Sequence, residues 1–219
     1  VWRASVIALA FAAGNALAAQ PTITLQDLTL RAEAGDRGAM HALAESYYAG
    51  SNGAEQDFGR AAEWYRRLAR SGDARAQTSL GLMYARGYGV TKNMAEAHRW
   101  WNFAAIQNDP GAQYNLGLTY ARGEGVAADP ERAARWFREA ARRGHVQAQH
   151  NLGMLYHEGR GVPKDARLAY YWVRVAALQG DTVAADALPP LRAQMTEAQV
   201  AEAEAQAQDW MQRARKAAQ

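Results

Sequence analysis

Between Asp36 and Gly180 the apolar positions recur on two alternating helical stripes. Ala76, Leu80, Met83 and Tyr84 fall at i, i+4, i+7 and i+8, the pattern of a helix with one buried face. After a short turn Ala97, Trp100 and Ala104 define a second stripe. Both return every 36 residues. Ala76, Ala112, Ala148 and Ala184 make one column, and Leu80, Leu116, Leu152 and Leu188 another. Tyr84, Tyr120 and Tyr156 follow, then Ala61, Ala97, Ala133 and Ala169, then Trp64, Trp100, Trp136 and Trp172. An earlier copy of the leading half, at Ala39, Leu43, Tyr47 and Gly50, sits 37 residues back because its turn, "GSNGA", carries one extra residue. Independent columns on one spacing establish a repeat whose unit is a pair of antiparallel helices.

The helix boundaries carry their own signals. Asp36, Asp73, Asp109 and Asp181 precede the leading helices, where a carboxylate accepts from the first turn; His145 replaces the aspartate in the fourth unit. Asp57, Asn93, Asp129 and Asp165 announce the trailing helices, and Pro110 and Pro130 suit first helical positions. Gly72, Asn108, Gly144 and Gly180 mark their ends. The pairs Gly87/Gly89, Gly123/Gly125 and Gly159/Gly161 raise the question of a phosphate loop. Such a loop follows a strand and opens a helix with Lys-Ser/Thr; here Gly-x-Gly-Val follows a helix once per unit and lacks those residues. It reads as a turn: the first glycine ends the leading helix, the second reverses the chain, and the valine tucks between the helices.

Composition adds limits. The chain has 219 residues, 49% apolar and 21% charged, ample for a packed core. Its net charge of +3 is small, and the densest basic cluster, Arg132, Arg135, Arg138, Arg142 and Arg143, is interrupted by Glu131 and Glu139. That mixture reads as a solvated helix face, so no nucleic-acid partner is expected. With no cysteine there are no disulfides, thiol chemistry or cysteine metal sites. The opening "VWRASVIALAFAAGNALAAQ" places one cation before an apolar run and small residues, the order of a secretory signal peptide cut before Ala19 or Gln20. A periplasmic or secreted location is expected, with no stable membrane insertion after cleavage.

The combination of Ala, Leu-Gly-x-x-Tyr, Gly-x-Gly-Val, a polar cap, Ala, Trp and Ala-Ala on this period resembles the Sel1-like repeat family, relatives of the tetratricopeptide repeats. The first unit departs from it, lacking the glycine after Leu43. The resemblance implies an all-α fold, a right-handed α/α superhelical solenoid of helical hairpins. Residues 1–19 are then the signal peptide and 20–35 an N-terminal capping helix. Four repeats occupy 36–72, 73–108, 109–144 and 145–180, and 181–219 hold a half repeat and a capping helix. In that helix Thr196 and Gln199 have capping-box spacing, and Val200, Ala203, Ala207, Trp210 and Met211 form the covering stripe. By the same resemblance members act as adaptors that hold protein or peptide partners in a concave groove. Some exported members are similar and bind or hydrolyse β-lactams, with cysteine pairs that this chain lacks.

Within each leading helix the positions two, six and nine residues after the alanine lie farthest from the buried stripe and vary between units. They are His41, Glu45 and Tyr48; Thr78, Leu82 and Ala85; Tyr114, Leu118 and Ala121; and His150, Met154 and His157. These are the candidate partner-binding groove. His150 and His157 share a face but lie about 10 Å apart along the axis, too far for one metal ion. The tryptophan column, flanked by alanines, reads as core. His41 and Glu45 are one turn apart, yet no serine stands in a nucleophile elbow, and no catalytic residue, metal or cofactor is expected. The sequence reading is a non-enzymatic exported scaffold in envelope signalling or assembly. An envelope enzyme for β-lactam hydrolysis or peptidoglycan modification, and a cell-wall glycan-binding module using Tyr114, are the alternatives.

Overall fold

The polar residues ahead of each stripe act as caps in the structure, a computed structural model describing residues 24–217. The signal-peptide reading of residues 1–19 lies outside these residues. The leading helices are α2 (Arg37–Ala49), α4 (Ala74–Arg86), α6 (Pro110–Arg122), α8 (Val146–Glu158) and α10 (Thr182–Arg192). The trailing helices are α3 (Phe58–Arg70), α5 (Met94–Ala105), α7 (Pro130–Arg142) and α9 (Ala166–Leu178). Helix α1 (Leu25–Glu33) precedes them and α11 (Glu197–Ala217) follows. Each helix through α10 packs on its neighbour in sequence, and α11 folds back on α9. The result is an α/α solenoid.

Asp36, Asp73, Asp109 and Asp181 accept from the backbone N–H three residues on, at 2.8–3.0 Å. His145 takes the same role through Nδ1, which accepts from Ala148 N at 3.3 Å. Thr196 and Gln199 form their reciprocal pair at the start of α11. Val200, Ala203 and Ala207 are buried beneath that helix and Trp210 and Met211 half-buried, so it covers the last repeat.

Every turn closes alike. The N–H of Asp57, Asn93, Asp129 and Asp165 donates to the carbonyl of Tyr47, Tyr84, Tyr120 and Tyr156, at 2.8–3.0 Å. In the longer first turn Asn52 donates its side-chain amide to Ser46 Oγ at 2.9 Å, which pins the additional residue. The Gly-x-Gly pairs are bends, as the sequence suggests: Gly87, Gly123 and Gly159 end their helices in the left-handed conformation. The second glycine also joins neighbouring repeats. A Cβ on Gly161 would stand 2.0 Å from the Pro130 carbonyl oxygen at the start of α7.

One core assignment is corrected. The tryptophan column is not the main buried ring: Trp64, Trp100 and Trp136 are half-buried, and only Trp172 is buried. The next residue points inward, giving Tyr65, Trp101, Phe137 and Val173 at 6%, 4%, 2% and 0% exposure. Space for Trp101, Phe137 and Val173 comes from glycines on the leading helices. A Cβ on Gly81 would lie 2.5 Å from Trp101 Nε1, and one on Gly117 2.5 Å from Phe137 Cδ1. The tryptophans instead pack at the margins of the core clusters, Trp100 against the one that joins the first repeat to α4 and Trp136 against two that together span the second to fourth repeats.

A buried amide ladder completes the junctions. Gln77, Gln113 and Gln149 donate Nε2 to the carbonyls of Ala69, Ala105 and Ala141, at 3.1, 3.2 and 3.1 Å. These carbonyls belong to last turns, which lack partners within their own helix. Gln107 and Gln179 donate in turn to Gln77 and Gln149 Oε1. At the equivalent position Arg143 bonds Glu139 and Asn108, and Gln113 Oε1 stays unpartnered.

Candidate binding faces along the repeat array

The three candidate columns have different surroundings. Two residues after the alanine, each side chain meets the cap of the next repeat. His41 Nε2 lies 3.1 Å from Asp73 Oδ2, and Thr78 Oγ1 donates to Asp109 Oδ1 at 2.9 Å. His150 Nδ1 lies 3.5 Å from Asp181 Oδ2. Where the cap is His145, its partner is Tyr114, stacked at 4.4 Å between ring centroids and 20° between planes. The variation in this column therefore follows the cap it serves. His41 and Glu45 do not pair with each other, since Glu45 bonds Arg75 at 2.5 Å.

Six residues after the alanine, Leu82, Leu118 and Met154 line clefts between successive leading helices. The first, about 610 Å³, lies between α4 and α6 and takes Leu82, Leu118, Trp101 and Arg122 into its wall. The second, about 310 Å³, lies between α6 and α8 and is lined by Leu118, Arg122, Met154 and Phe137. The clefts share Leu118 and Arg122, so they adjoin along one face. Ala85 lines the first and Ala121 the second.

The remaining candidates stand elsewhere. Tyr48 packs with Phe58 and Tyr88, at 5.3 and 6.2 Å between ring centroids. His157 is half-buried and its Nδ1 has no hydrogen-bond partner. Tyr114 and His150 border a recess of about 380 Å³ beside Asp181 and Val183. Among the described residues no group of His, Asp and Glu is arranged to hold a metal ion, and no helix is long and apolar enough to cross a membrane. Sequence reasoning missed Trp101 and Arg122 as cleft residues. The column Arg86, Arg122 at the ends of α4 and α6 was the available signal for the second.

The junctions set an acid response. Burial alone would raise the Asp73 carboxyl, but the Ala76 N–H, His41 and Arg37 outweigh it and hold it down at about 2. Burial depresses His98, and it also depresses His145 against the opposing charge of Asp109. A histidine lowered in the folded chain favours folding when neutral, so its contribution is present above the unfolded value of 6.5 and lost as pH falls through the folded one. Asp73 contributes above 3.8 and loses this as pH falls towards about 2. Urea midpoints should therefore decline in two stages, first as pH falls below 6.5 and again as it falls below 3.8. A midpoint constant across the first stage would contradict the histidine assignment.

Helical hairpins on a fixed period, stitched by caps and amides and opening clefts between leading helices, define the class: an α-solenoid. The Sel1 repeat model matches residues 38–73, 74–109, 110–145 and 146–181. The chain belongs to the Sel1 repeat family. It is similar to c5321, described as a protective antigen of uropathogenic Escherichia coli with an SLR fold, at 37% identity and TM-score 0.70 over 74% of this chain and 34% of that one. It is also similar to a Sel1 repeat protein from Oxalobacter formigenes, at 37% identity and TM-score 0.69 over 76% of this chain and 48% of that one. The chain thus spans between a third and a half of the length of these two. The immunity protein Pa5087 from Pseudomonas aeruginosa shares the fold at 23% identity and TM-score 0.52, over 85% of this chain and 73% of that one. Among curated proteins none matches.

Proposed function

We propose that this chain is a binding scaffold that holds a segment of another protein along the clefts between its leading helices and performs no chemistry there. The observation that carries this reading is the column Leu82, Leu118 and Met154, which lines two adjoining clefts that share Leu118 and Arg122 and mix apolar with charged residues. Membership of a helical-repeat family supports it, since solenoids offer extended surfaces of this kind. The basic, apolar and small-residue order of positions 1–19 supports export to the periplasm or beyond, and with it a partner in envelope signalling or assembly.

One experiment addresses both parts. A photo-crosslinking residue is placed at position 118 of the tagged chain in living bacteria. The expected product is one stoichiometric adduct in the periplasmic or secreted fraction, with a mature N-terminus at Ala19 or Gln20. Leu82→Arg/Met154→Arg should abolish the adduct while leaving the helical signal unchanged. An undiminished adduct in that variant would refute the cleft, a cytoplasmic, uncleaved chain would refute export, and hydrolysis of a chromogenic β-lactam by pure protein would replace the scaffold with an enzyme.

A further inference from the structure

The trailing helices carry a second surface that shares no residue with the leading-helix clefts. On α7 the residues Arg132, Arg135, Arg138 and Arg142 border a cleft of about 610 Å³ together with the rings of Tyr120 and Trp136. Arg142 continues into a neighbouring recess of about 420 Å³ lined by Tyr171, Trp172, Trp210 and Arg213. Trp210 comes from α11, its ring reaching within 3.8 Å of where a Cβ on Gly144 would lie. The two recesses hold five arginines against the single carboxylate of Glu139, a surplus of four. The whole chain carries only +3. Allowing for Asp129 and Asp209, which pair with Arg132 and Arg213, the trough keeps a surplus of two.

The guanidiniums are unevenly engaged. Arg132 is held by Asp129 at 3.1 Å and lies over the Tyr120 ring at 5.5 Å, and Arg213 pairs with Asp209 at 3.1 Å. Arg138 donates to Tyr156 Oη at 3.2 Å. Arg142 has only a long contact to Glu139, at 3.8 Å, because that carboxylate is taken by Arg143 at 2.9 Å. Arg135 is exposed and has no carboxylate within ion-pair distance among the described residues. Arg135 and Arg142 therefore present charge to solvent in the recess that also holds the Trp136 ring.

We propose that this arginine–tryptophan trough docks an acidic segment of a partner protein, with carboxylates on Arg135 and Arg142 and a bulky apolar side chain against Trp136 and Trp172. The planar guanidinium fork matches a carboxylate in two parallel hydrogen bonds. Aromatic rings lining a recess take a side chain that supplies apolar area between the charges. A nucleic-acid backbone fits less well, because only Arg135 and Arg142 lack a close carboxylate or phenol partner, too few to track a run of closely spaced phosphates. A bilayer fits less well again, since Trp172 is 8% exposed and the rings form walls of a recess instead of projecting from it.

The test uses the full chain and labelled peptides of about twelve residues alternating glutamate with leucine or phenylalanine, read by fluorescence anisotropy at low salt. Saturable binding is expected, with affinity reduced at least about tenfold in Arg135→Gln/Arg142→Gln and no binding of the peptide with glutamine in place of glutamate. A charge-neutral leading-helix variant, Leu82→Gln/Met154→Gln, should bind the acidic peptide as the parent does, so this trough and the proposed clefts stand or fall separately. Equal binding of the glutamine peptide, or full affinity in Arg135→Gln/Arg142→Gln with an unchanged melt, would overturn the proposal. So would tighter binding of a thymidine oligonucleotide or of phosphatidylglycerol vesicles than of the peptide.

Discussion

Replacing Phe137 by alanine is expected to destabilise the chain by about 3–5 kcal/mol, the range for emptying a large buried aromatic site. Its ring is 2% exposed and faces Gly117 so closely that a methyl group there would overlap it at 2.5 Å. Gly117 itself has no side chain that could move into the void. Trp136→Ala, one residue earlier, should cost only about 1–2 kcal/mol, because that ring is half-buried and gives up less area to solvent. Urea unfolding of the two variants provides the comparison. A larger loss for Trp136 than for Phe137 would mean that the rings are exchanged relative to this description.

The second large effect is expected at Gly161. Its φ of +69° already disfavours any other residue by about 1–2 kcal/mol, and a methyl group would overlap the Pro130 carbonyl carbon and oxygen at 2.2 and 2.0 Å. The obstacle is backbone, which cannot rotate away, so the junction between the third and fourth repeats must open. Gly161→Ala should cost about 3 kcal/mol or more. Gly180→Ala separates the two contributions: its φ is +94°, but an added Cβ meets nothing within 4 Å, and the loss should be about 1–2 kcal/mol. Similar thermal melts for the two variants would show that conformational strain alone governs the turn and that the interrepeat contact is unimportant.

The repeat itself was legible because its most constrained positions are nearly invariant across the units: the alanine and leucine columns, the turn glycines and the caps. The facing of adjacent aromatics was not. Counting from Ala97, Trp100 is three residues on and Trp101 four, and both spacings fit one helical stripe. What decides between them is the missing side chain of Gly81 on another helix, a fact of three-dimensional approach. The candidate groove was legible in part. The hydrophobic column Leu82, Leu118 and Met154 does line clefts, whereas the His41, Thr78, Tyr114 and His150 column varies for an internal reason. Its meaning emerges only when each member is read beside the cap that it meets. The buried glutamine ladder went unread because a glutamine beside a buried alanine suits solvent equally well until the carbonyl it caps is placed.

Those matched pairs restrict how this array can change length. Excision of residues 73–108 would bring His41 to Asp109, recreating a histidine–aspartate joint of the kind removed. Excision of residues 109–144 would instead set the small Thr78 against His145 and strip the imidazole of its stacked phenol. Units of one length are therefore not interchangeable modules: each carries half of a lock whose key belongs to its successor, and gain or loss of copies is tolerated only where the two halves still correspond.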